Sequence, residues 1–188
     1  VEQSGEPIYI GMDFNVGKMA GIVHVLRLGV ACAVTEIINA YDTPDMIRII
    51  KERFWLYDGN DYRKVREIYI YPDASGDSRK SSNASTTDIA QLKQAAFNVV
   101  VNSSNPPVKD RVNSMNAMFC NANGERRYKV NVKRCPVYAE SLEQQVWDDK
   151  GEPDKKSGND HPNDAGGYFI VKQFPIVKPT GRVTSLRI

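Results

Sequence analysis

The chain has 188 residues, 41% of them hydrophobic and 26% charged. These are the proportions of one globular domain with its own core, not of a disordered or fibrous chain. No run approaches the roughly 20 apolar residues of a membrane span, and a net charge of +2 names no partner. Three cysteines, Cys32, Cys120 and Cys135, stand far apart without a Cys-x-x-Cys pair. That spacing argues against structural zinc or a disulfide framework and suggests a reducing compartment.

The polar, acidic start reads as a linker remnant over residues 1–6 rather than a signal peptide. The apolar run "PIYIGMDF" then predicts a buried strand ending at Asp13. "KMAGIVHVLRLG" and "VACAVTEIINAY" predict two more strands, joined at Gly29, so the first three make a meander. At "DTPDMIRIIKERFW" the period becomes helical, with Thr43 as candidate N-cap, Pro44 in the first turn and Ile47, Ile50 and Phe54 on one face. "VREIYIYPDASGD" predicts a fourth strand that ends in a turn at Asp73. A helix over "TTDIAQLKQAAF" turns Ile89, Leu92 and Ala96 inward, and "NVVV" is a short fifth strand. Residues 106–121 predict a helix through Val108, Val112, Met115 and Phe119. A brief extended stretch, "YKVNVK", a helix through "AESLEQQVW", a polar loop and a last helix near "HPNDAGGYFIVKQF" complete the order. Trp55, Trp147 and the cysteines read as core, and His24, lacking a second histidine nearby, as a packed strand residue.

Three strands, a helix, a strand, a helix, a strand and then helices is the ribonuclease H-like order. The expected fold is α/β, a mixed sheet with helices on both faces, spanning residues 7–175 and followed by a tail over 176–188. In such a sheet the first and fourth strands are neighbours, so Asp13 and Asp73 would share one edge with Asp164 at the start of the last helix. Oxygen ligands of this kind suit Mg²⁺ or Mn²⁺, and two such ions about 3.5–4 Å apart can drive phosphodiester hydrolysis. Each carboxylate also has a plainer reading. Asp13 and Asp73 suit turns, Asp164 suits a helix N-terminus, and Asp160 suits an N-cap. "IGMDFNVGKM" is no phosphate loop, because five residues separate Gly11 from Gly17 and Met19 follows Lys18 where a Mg²⁺-holding hydroxyl is needed.

At "YIGMDFNVGK", "IYIYPDASGD" and the stretch from "KVNVKRCPVYAESLEQQVW" to "HPNDAGGYF" the chain resembles the nuclease domain of the large terminase subunit of tailed double-stranded DNA phages. The resemblance covers nearly the whole chain in order. It implies a metal-dependent endonuclease that cuts DNA concatemers during genome packaging. Asp13, Asp73 and Asp164 would hold two Mg²⁺ or Mn²⁺ ions, with His161 and Asp160 as auxiliary residues. It further implies a separate N-terminal ATPase motor, the small terminase subunit and the portal as partners, and the host-cell cytoplasm as location.

Double-stranded DNA would need cations near these carboxylates. Arg79 and Lys80 follow Asp73, and Lys155 and Lys156 precede Asp164; "RRYKVNVKR" offers a basic strand. Such contacts read phosphates and not sequence. Competing readings are a junction resolvase or transposase core with the same carboxylates, one lobe of a sugar-kinase-like ATPase, and a metal-free DNA- or motor-binding module.

Overall fold

The computed structural model describes residues 1–15, 17–77, 87–149 and 151–176. Arg79 and Lys80 lie outside them. Strands β1 (Ile8–Asp13), β2 (Met19–Arg27) and β3 (Val30–Ala40) form the meander. Helix α1 (Thr43–Phe54) leads through a small hairpin, β4 (Leu56–Tyr57) and β5 (Tyr62–Arg63), to β6 (Ile68–Pro72). Helix α2 (Asp88–Gln94), β7 (Asn98–Val99), α3 (Val108–Phe119), β8 (Tyr128–Val130), α4 (Pro136–Gln144) and α5 (Asp160–Gln173) follow. The six-stranded sheet runs β7-β6-β1-β2-β3-β8. β1 pairs parallel with β6, β6 with β7 and β3 with β8, while the meander is antiparallel. Among the described residues no helix is long and apolar enough to cross a membrane.

The sheet has a core on each face. Ile8, Ile10 and Met12 of β1 pack with Met46, Ile50 and Phe54 of α1 and Ile89 and Leu92 of α2. On the opposite face Ile22, Ala33 and Tyr71 pack with Met115 and Met118 of α3, Tyr138 of α4, and Ala165 and Phe169 of α5. Because strand side chains alternate, Asp13 falls in phase with Tyr9 and Gly11, on the α5 face. The 1–6 segment is tied to the domain by ion pairs from Arg27 to Glu6 (2.8 Å) and Arg134 to Glu2 (3.0 Å).

Several local expectations shift. The N-cap of α1 is Asp42, whose side chain accepts from the Asp45 amide, and Thr43 begins the helix. Met46, not Ile47, is buried beside Ile50 and Phe54. Ala95 is buried where Ala96 was expected; Ala96 is exposed with φ 66°. In α3 the buried face is Arg111, Ser114, Met115 and Met118, rotated from the apolar stripe because Arg111 turns inward to a charge partner. Trp55 is core, but Trp147 is 59% exposed and lies outside any helix. Cys135 is buried and Cys120 exposed. His24 is fully buried, stacked on Phe169 at 4.4 Å, with Nε2 2.8 Å from the Tyr128 hydroxyl. Burial lowers its pKa to about 3, so it is a neutral core residue.

Candidate active site

Two parallel strands end side by side. Met12 is in register with Pro72, and the Asp73 amide donates to the Met12 carbonyl at 2.9 Å. Asp13 and Asp73 therefore leave the sheet at the carboxyl end of adjacent strands, where open α/β sheets place their sites. Helix α5 supplies the third wall, and its run "DAGGY" explains how it comes so close. A Cβ built on Gly11 would run into the Ala165 carbonyl oxygen. One on Gly166 would enter the phenol end of Tyr138, and one on Gly167 would meet Arg111 Cγ at 2.6 Å. Two glycines inside a helix cost about 1 kcal/mol each relative to alanine. Here they let α5 settle between β1, α3 and α4, which carries Asp164 and His161 to the end of β1.

Each carboxylate has found a different partner. His161 Nδ1 lies 3.0 Å from Asp13 Oδ2, and His161 Nε2 lies 2.7 Å from Asn15 Nδ2. The tautomer that donates from Nδ1 to Asp13 and accepts at Nε2 from Asn15 satisfies both contacts. Asp73 Oδ1 accepts from Asn105 Nδ2 (2.6 Å) and the Ser75 amide (2.7 Å). Asp164 Oδ1 accepts from Arg111 Nη2 at 2.6 Å. Asp160 is 5% exposed and its Oδ1 has no hydrogen-bond partner; the nearest cation candidate, His161 Nε2, is 4.0 Å away. It is the first residue of α5, with Asn159 at the N-cap position, so the capping role expected of it is not observed.

The electrostatics are those of clustered negative charge that Arg111 neutralises only in part. Burial, the Asp164 carboxylate and the Asp73 carboxylate push Asp13 up to about 6, against a smaller opposing pull from His161. Asp164 is likewise raised by burial, offset in part by Arg111 and more distantly by Lys155. Among the described residues, no three His, Cys, Asp or Glu side chains are drawn together tightly enough to hold a metal ion. Each carboxylate instead has a local partner: His161 for Asp13, Asn105 for Asp73 and Arg111 for Asp164. The donor set is nonetheless oxygen-only apart from His161, with one orphaned buried oxygen on Asp160, and fits a hard divalent cation.

The raised carboxyl sets a pH dependence. A group whose folded pKa lies above its unfolded value favours the fold while protonated. That stability is lost as pH climbs from 3.8 towards about 6. At about 1.36 kcal/mol per pH unit, the gap corresponds to up to about 3 kcal/mol. In metal-free buffer Asp13→Asn is expected to melt higher than wild type at pH 7 and to show a smaller fall in Tm between pH 4 and 6. Parallel pH–Tm curves for the two proteins would contradict the assignment.

The structure thus brings Asp13, Asp164 and His161 together, sets Asp73 on the neighbouring strand end, and buries Asp160 behind His161. Lys155 and Lys156 are exposed in the loop before α5 and make no ion pair among the described residues. Sequence reasoning missed Arg111, Asn15 and Asn105. The signal for Arg111 was a long cation set inside an otherwise inward-facing helix stripe; Asn15 and Asn105 carry no pattern of their own.

Sheet order and helix placement define a ribonuclease H-like fold. The family profile described as "Terminase RNaseH-like domain" matches residues 10–173. The chain belongs to this family. Among solved structures it is similar to the phage P22 large terminase nuclease domain (15% identity, TM-score 0.62, 93% of this chain and 86% of that one). It is similar also to the nuclease domain of the phage SPP1 large terminase, solved with bound Mn (16% identity, TM-score 0.56, 90% and 88%). The large terminase of the thermophilic phage D6E, in complex with ATP-γ-S, aligns over 91% of this chain at 21% identity and TM-score 0.61. This chain spans 41% of that protein's length. At these identities the likeness is one of fold. No curated protein matches by sequence.

Proposed function

We propose that the chain is a metal-dependent endonuclease that cuts double-stranded DNA concatemers during phage genome packaging. The observation that carries the reading is the convergence of three carboxylates: Asp13 and Asp73 leave adjacent parallel strands side by side, and α5 brings Asp164 and His161 to the buried Asp13. A site that gathers this much negative charge out of water, in a family of terminase nuclease-like domains, is built to receive cations. Asp13, Asp73 and Asp164 would hold two Mg²⁺ or Mn²⁺ ions; the bound Mn of the SPP1 domain supports that choice. When bound, such ions generate a nucleophilic water and stabilise the departing oxygen.

The remaining residues set up the carboxylates. His161, itself held by Asn15, fixes the Asp13 side chain, and Asn105 together with the Ser75 amide fixes Asp73. Phosphates would be held by Lys155 and Lys156, with Arg79 and Lys80 as further candidates. Lys155 is near enough to Asp164 to lower its carboxyl pKa. In the packaging complex the domain would work beside an ATPase motor, the small terminase subunit and the portal, in the host-cell cytoplasm.

Linear duplex DNA incubated with Mn²⁺ or Mg²⁺ is expected to be cut, and EDTA to stop it. Preference for a four-way junction over linear duplex would favour the resolvase reading, and no cutting with either metal would contradict the proposal. Lys155→Ala with Lys156→Ala is expected to weaken duplex binding alike for all sequences. It should lower the salt slope by about one per lost phosphate contact. An unchanged slope would place the DNA elsewhere.

A further inference from the structure

Arg111 is the feature the proposed chemistry does not use. It is 5% exposed on α3, yet it carries a fixed charge. Its Nη2 donates to Asp164 Oδ1 at 2.6 Å, and its guanidinium carbon stands 4.8 Å over the Tyr168 ring. Its aliphatic stem lies against Gly167, where even a methyl group would meet Cγ at 2.6 Å and Cδ at 2.7 Å. Glycine, aromatic ring and carboxylate, all on one turn of α5, form a socket shaped to this one side chain. Asp164 Oδ2 makes no hydrogen bond among the described residues.

We propose that Arg111 is a positioning residue for DNA cleavage: its grip on Asp164 Oδ1 fixes that carboxylate and leaves Oδ2 as its ligand oxygen. The inference rests on the nuclease reading above. A planar guanidinium held by stacking and a short charge-assisted bond defines a direction, which an ammonium does not. Its charge also repels an incoming cation. Removing it therefore leaves Mn²⁺ affinity equal or tighter, while the carboxylate swings and turnover falls. A group that only ties α3 to α5 cannot produce that split.

The test compares wild type, R111K, R111Q and R111A in three readings: Tm, Mn²⁺ affinity by calorimetry, and single-turnover cleavage of duplex DNA. Folded R111K and R111Q are expected to bind Mn²⁺ at least as tightly as wild type and to cut about 100-fold more slowly, the usual effect of a slightly misplaced group. Added guanidinium is expected to restore part of the R111A rate. Wild-type cleavage by folded variants overturns the proposal. So does parallel loss of Mn²⁺ affinity and cleavage, or failure of R111K as well as R111Q to fold, since the residue would then build the site rather than aim it. Wild type that binds Mn²⁺ but cuts nothing contradicts the nuclease reading itself, a separate result.

Discussion

Asp13→Asn, Asp73→Asn and Asp164→Asn are each expected to lower DNA cleavage by about 10³-fold or more, with the fold intact. Asparagine keeps the shape of aspartate and removes the charge that would hold a divalent ion. A site that cannot hold its ions would lose both the activated water and the stabilisation of the departing oxygen, and loss of one electrostatic contribution of this kind alone typically costs about 10²–10³-fold. The fold should survive because none of the three carboxylates is part of the apolar core. Asp13→Asn should even relieve repulsion, since burial and two carboxylates already push Asp13 up to about 6. Asp164→Asn differs, because Arg111 would lose its anionic partner. Its Tm is expected to gain less than that of Asp13→Asn, because the lost ion pair offsets the relief of a carboxyl that burial also raises. Wild-type cleavage by any two of the three variants would move the site elsewhere.

Gly11→Ala is expected to be the most damaging glycine-to-alanine change among the described residues. The new Cβ would run into the Ala165 carbonyl oxygen, which is helix backbone and cannot turn aside. Overpacking typically costs about 1–3 kcal/mol, and an unyielding neighbour puts this position at the upper end. For a chain of this size that is roughly 10 °C in Tm. Displacing α5 also carries His161 and Asp164 away from Asp13, so cleavage should fall further than stability alone explains. Gly21→Ala, on the adjacent strand, is the control. Its Cβ would meet Ile10 Cγ2 at 3.4 Å and Met46 Cε at 3.5 Å, ordinary contacts. It should change stability by less than about 1 kcal/mol. Equal Tm values for the two variants would show that α5 is not seated on Gly11.

The sheet was legible because its strands keep a clear apolar pattern between turn residues, and because three strands, a helix and a strand in that order match the ribonuclease H-like fold, which sets its first and fourth strands side by side. The ends of those strands gave Asp13 and Asp73 directly. The hairpin β4–β5 was not legible: two residues per strand are too few to show alternation. The inward face of α3 was misplaced for a different reason. Apolar spacing selects Val108, Val112 and Phe119, but the buried face contains Arg111 and Ser114. A buried cation declares itself only through its partner, and Asp164 lies 53 residues further along the chain. The "DAGGY" run stood out as a motif, yet which neighbour each small residue admits is a property of three elements meeting in space. Asp160 was misassigned because an Asp before His-Pro has the composition of a cap, while its burial depends on where α5 docks.

The central claim is that Asp13, Asp73 and Asp164 together receive divalent cations. Anomalous scattering from a crystal soaked in Mn²⁺ measures this most directly. Manganese peaks bounded by those three carboxylates, absent from an Asp13→Asn crystal soaked alike, are the predicted result. A Mn²⁺-saturated crystal with no peak among them, or with the same peak in Asp13→Asn, would contradict the account.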